Sequence, residues 1–94
     1  MTQTRNLPKS AVSVLDIGIN WADWLNQGDA IVTSEWTADP EITISRQQLT
    51  TTSTSCYIAG GVDGKTYRIF NKITTANDLV ESRFITISIE ENSV

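Results

Sequence analysis

The stretch KTYRIFNKITTANDLVESRFITISIE, residues 65–90, alternates apolar and polar side chains on both sides of a short polar break. Tyr67, Ile69, Asn71 and Ile73 share one parity, and Ile85, Ile87 and Ile89 share one parity beyond the break. A repeat of two residues fits a β-strand with one face buried, and Asn77-Asp78 suits a tight connection. The stretch therefore reads as a hairpin with a solvated back. It sets the class for the rest of the chain.

Working toward the N-terminus, STSCYIAGG places Thr54, Cys56 and Ile58 opposite Ser55, Tyr57 and Ala59, and ends at Gly60-Gly61. EITISR alternates Ile42 and Ile44 with Thr43 and Ser45. DAIVTSEWTADP reads as a strand with Val32, Ser34 and Trp36 on one face, stopped at Asp39-Pro40. AVSVLDIGI, residues 11–19, reads as one interrupted strand whose phase changes near Val14–Leu15, as a bulge or a switch between sheets would produce. Six short strands at this spacing predict an immunoglobulin-like antiparallel β-sandwich with one short helical turn. Tyr67, at the start of the penultimate strand, sits where such sandwiches pin a corner with a tyrosine hydroxyl.

The helical turn is expected over residues 21–26, within INWADWLNQGDAI. Asn20 suits the N-cap, Ile19 and Trp24 the two halves of a hydrophobic staple, and Gly28 the left-handed stop. This reading makes Trp24 and Leu25 the inward anchors, with Trp36 also in the core. Trp21 is left as the candidate contact residue.

The chain has 94 residues, which supports one modest core. The expected organisation is an extended N-terminal arm over 1–10, a sandwich domain over 11–90 and a C-terminal tail over 91–94. No apolar run reaches membrane-span length, and the first ten residues lack the apolar segment of a signal peptide.

A net charge of -4 with scattered lysines argues against nucleic acid as a partner. With no histidine, neither Ser-His-Asp nor Cys-His catalysis can be built. No phosphate-cradling glycine motif or calcium loop is present. Cys56 is the lone cysteine and reads as a small core residue. Capping, turns and solubility account for most of the acidic residues, among them Asp16, Asp23, Asp29, Glu35, Asp39 and Glu41. No catalytic, metal or cofactor site is expected.

Two places invite a partner. Arg68, Phe70, Arg83 and Phe84 read as the outer face of the long hairpin, a composition suited either to a docking surface or to ordinary cross-strand pairing. Three tryptophans and two tyrosines in a short acidic chain also allow a carbohydrate-binding module.

Taken together, LDIGINWADWLNQGDAI, SEWT, YIAGG, GKTYRIFNKITT and ESRFITISI resemble a family of small tailed-bacteriophage virion proteins, the fibre-tail adaptors or head-tail structural proteins. The resemblance spans roughly residues 15–89. Trp21, Trp24, Leu25, Gly28, Asp29 and Trp36 match its first part; Gly60, Gly61, Tyr67, Asn71, Ile73, Thr74, Thr75, Glu81 and Arg83 match its second. Asn20 stands in place of an aspartate, YIAGG replaces a WLSGG-like segment, and ESRF shifts an aromatic by one place. The resemblance implies a non-enzymatic virion protein at the tail or head-tail region. It further implies a homo-oligomeric ring that contacts tail, neck or fibre proteins. The partner-contact candidates are Trp21, Arg68, Phe70, Arg83 and Phe84.

Overall fold

A computed structural model describes residues 2–90, with side chains from Leu7 onward. The expected tail, 91–94, lies outside the described residues. The fold is all-β, with the strands β1 (Thr2–Lys9), β2 (Leu15–Asn20), β3 (Ile31–Thr37), β4 (Ile42–Leu49), β5 (Ser53–Gly60), β6 (Thr66–Thr75) and β7 (Val80–Ile89). They form two sheets, ordered β1-β7-β6-β3 and β2-β5-β4. This is the sandwich expected from the strand pattern, with one strand more than the six read from alternation. The additional strand, β1, comes from the segment read as an arm. It runs parallel to β7, whereas the other pairings are antiparallel.

The long hairpin forms as its alternation requires. β6 and β7 pair from Thr66↔Ser88 to Thr74↔Val80 without a register shift. The loop between them closes with the Asp78 N–H donating to the Thr75 carbonyl at 3.0 Å. Asp78 takes a left-handed φ of 65°, which its short polar side chain tolerates. Tyr67, Ile69, Asn71, Ile73, Ile85, Ile87 and Ile89 are all buried. Facing them from the other sheet are Ile17, Ile19, Cys56 and Ile58. Burying one such isoleucine contributes roughly 1.5–3 kcal/mol, and this layer between the sheets is the core.

Two local expectations are corrected. Residues 11–19 are not one interrupted strand: β2 begins at Leu15, and residues 10–14 carry the chain from one sheet to the other. Val32 does not share a face with Ser34 and Trp36, because a register shift between Ile31 and Thr33 turns Ile31 inward and leaves Val32 exposed. The described residues contain no helix. The single turn expected after β2 is present all the same: the Leu25 N–H donates to the Trp21 carbonyl at 3.0 Å, an α-helical bond, and the Ala22 N–H donates to Asn20 Oδ1 at 3.0 Å, as an N-cap accepts it.

That turn reverses the roles expected of two tryptophans. The Trp21 N–H donates to the Thr52 carbonyl at 2.8 Å, extending the β2–β5 ladder by one step. Trp21 thereby keeps the inward parity of Ile17 and Ile19 and is fully buried. Trp24 is only partly buried and packs edge-on against Trp21, their ring centroids 5.7 Å apart.

Candidate interaction surface

The two faces of the long hairpin divide the aromatic and arginine residues singled out in the sequence. On the outer face, Phe70 and Phe84 are Cα partners across β6 and β7, with ring centroids 5.6 Å apart and planes tilted by 49°. The Arg68 guanidinium lies 5.0 Å from the Phe84 ring centroid. This is a half-buried aromatic pair capped by a cation. Arg83 does not join it. Arg83 shares the parity of Ile85, so it projects to the inner side, where its guanidinium covers the Trp21 ring at 4.5 Å. Strand periodicity alone carried that signal, because Arg83 and Phe84 are adjacent and cannot share a face.

Trp21 offers no surface to a partner. Its indole N–H points into a buried polar network, donating to Asn71 Oδ1 at 3.1 Å and to Thr54 Oγ1 at 3.2 Å. The Thr54 hydroxyl donates to the same Asn71 oxygen at 2.6 Å. The Asn71 amide donates to Ser34 Oγ at 2.9 Å and to the Glu35 carbonyl at 3.2 Å. One side chain on β6 thus ties together β3, β5 and the turn after β2. Trp36 is buried as well. With Trp21 and Trp36 inside, Trp24 is the one tryptophan that keeps part of its surface exposed.

At the opposite end of the sandwich, the Val62 N–H donates to Tyr67 Oη at 2.9 Å, fixing the corner before β6 as expected of this tyrosine. The Tyr67 hydroxyl in turn donates to Glu41 Oε1 at 2.7 Å, and Lys65 pairs with the same oxygen at 3.2 Å. The Tyr67 hydrogen bond and then Lys65 hold the Glu41 carboxyl below its ordinary pKa. Burial and then Glu41 raise that of Tyr67. Sequence pattern pointed to Tyr67 but not to Glu41, which reaches it from the β3–β4 connection.

Features that would suggest chemistry are sparse. Cys56 is buried, and burial reinforced by Asp16 pushes its thiol up to about 12, far from the thiolate a nucleophile requires. No group of three or more metal-ligating side chains occurs among the described residues. The surface clefts are shallow. One of them, about 400 Å³, runs beside residues 16–20 and 53–55.

Residues 9–88 match the model of a family described as Podophage GP4 fiber-tail adaptor protein gp77. The chain belongs to this fibre-tail adaptor family. No curated protein matches it. Membership in the adaptor family makes the chain a bacteriophage structural protein of the virion tail region, working through contacts with other tail or fibre proteins. The match covers the sandwich from Lys9 to Ser88, including the Asn71 network and the Tyr67 corner. An adaptor needs a shape that survives load, and these two polar ties join the sheets at both ends of the core.

Proposed function

We propose that several copies of this chain form a ring on the tail and fasten a fibre or neck component to it, without catalysing a reaction. The outer face of the β1-β7-β6-β3 sheet receives the partner through Phe70, Phe84 and Arg68. The observation that carries this reading is the aromatic pair left half-buried under Arg68 on the outer sheet face. Aromatic and arginine side chains are enriched at the centres of protein interfaces and dominate their energetics. Trp21 and Arg83 lie on the inner side and serve the stability of the sandwich, Arg83 stacked over the Trp21 ring, and take no part in docking.

The test is capture of virion proteins from infected-cell lysate, with the wild-type chain and a Phe70→Ser/Phe84→Ser variant as baits. Wild type is expected to retain a tail, neck or fibre protein that the variant, still folded by circular dichroism, releases. Equal retention by both baits would remove the proposed face. Retention of no virion component by wild type would remove the fastening role.

A further inference from the structure

We propose that in the assembled particle β1 leaves its own sheet and adds to the β7 edge of a neighbouring copy, linking the ring by exchanged strands. The inference rests on the ring reading above and names the contact that would hold such a ring.

Three observations single out β1. It is an edge strand and, among the described residues, the one strand paired in parallel, joined to the rest of the sandwich through residues 10–14. Within that connection Val12 is 91% exposed and Val14 58% exposed, so the closed form leaves two apolar side chains in water at the hinge. A second copy brought alongside would cover them. Residues 1–9 also hold two of the seven basic residues, Arg5 and Lys9, and none of the eleven acidic ones. A basic strand leaving an otherwise acidic domain meets complementary charge on any other copy.

The family match adds a fourth. It begins at Lys9, so residues 2–8 fall outside it while β7, up to Ser88, falls inside. The acceptor edge thus belongs to the matched domain, and most of the strand that fills it does not.

Exchange conserves the bonds that seat β1. Leu7 packs against the core. The Lys9 ammonium, buried, donates to the Gly60 carbonyl at 2.8 Å, and the Glu90 N–H donates to the Lys9 carbonyl at 2.8 Å. A neighbour's β7 and Gly60 present the same partners, so the open form gives up little beyond local hinge contacts such as the Ser13 N–H to Ser10 carbonyl bond. Straightened, the five hinge residues reach about 17 Å. Side-by-side copies would supply the local concentration that favours the exchanged pairing.

Pro8 and Ser88 are Cα partners in the β1–β7 register. The experiment uses the full chain carrying Pro8→Cys/Ser88→Cys, oxidised after assembly and run on non-reducing gels beside light scattering. Buried Cys56 stays out of reach. A ladder of covalently joined chains is expected. Multimers whose disulfides are all internal would overturn the exchange while leaving the ring intact. Chains that remain single at every concentration and inside the particle would overturn both. If the double variant does not fold, Pro8→Cys chains co-expressed with Ser88→Cys chains give the same answer, because a disulfide between the two forms only across an exchanged strand.

Discussion

Asn71 accepts the Trp21 indole N–H at 3.1 Å in the closed space between the sheets, and the remaining polar atoms of its amide are also engaged. A buried amide this fully partnered becomes costly when truncated, because each donor or acceptor it leaves behind loses its partner without regaining water. Asn71→Ala strands the Glu35 carbonyl, leaves the Trp21 and Thr54 donors short of an acceptor, and opens a cavity. The expected loss is about 2–4 kcal/mol. Urea denaturation followed by tryptophan fluorescence measures it; a loss below about 0.5 kcal/mol, the level of an ordinary surface substitution, would show that the network does not hold the sheets.

A pH dependence follows from the Tyr67 corner. Glu41 is held ionised by the Tyr67 hydroxyl and then by Lys65, so its folded pKa lies below its unfolded one. Between those two values the unfolded chain binds more protons, and stability rises with pH. The contribution is therefore present above the ordinary carboxylate range, near pH 4.3, and is lost as pH falls through the lower folded value. Tyr67→Phe removes the main cause. The urea midpoint of wild type is expected to fall more steeply than that of the variant as pH is lowered from 6 to 3; parallel curves would rule the linkage out.

Gly60 and Gly28 separate two costs of a side chain in left-handed backbone. Both have positive φ, 84° and 82°. A Cβ at Gly60 would lie 2.8 Å from the Glu41 carbonyl oxygen, whereas at Gly28 nothing lies within 4 Å. Gly28→Ala is expected to cost only the conformational strain, about 1–2 kcal/mol. Gly60→Ala adds a backbone clash at the β4–β5 edge and is expected to cost clearly more. Equal urea midpoints for the two variants would contradict the close approach at Gly60.

What the sequence made legible, and what it did not, follows from the range of the interactions. Ile69, Ile73, Ile85 and Ile87 announce their face because a strand's alternation is local. The same alternation places Asn71 inward, although its partners come from elements far away in the chain. The burial of Trp21 is not legible locally, because residues 21–26 suit a helical turn that leaves Trp21 free to face outward. The deciding bond, from the Trp21 N–H to the Thr52 carbonyl, crosses 31 positions. Val32 faces outward because of a bulge that apolar patterning does not reveal. β1 pairs in parallel with the other end of the chain, a contact for which Pro8 and a polar composition give no signal. The docking candidates divided for a simpler reason: Arg83 and Phe84 have opposite parity.

That division sets the two arginines against each other in a single comparison. Arg68 caps Phe84 on the outer face, while Arg83 lies over the buried Trp21 ring at 4.5 Å. A cation over an aromatic face contributes about 0.5–1 kcal/mol at an exposed site and about 2 kcal/mol when shielded from water. Arg83→Ala is therefore expected to lower stability by about 1–2 kcal/mol and to shift tryptophan emission to the red, with capture of the virion partner preserved. Arg68→Ala is expected to change stability by less than about 1 kcal/mol and to weaken capture. Urea melts and the lysate capture, run on both variants, give the crossed pattern if the outer face is the docking surface. If Arg83→Ala abolishes capture while Arg68→Ala leaves it intact, the partner is held at the Trp21 end of the sandwich instead.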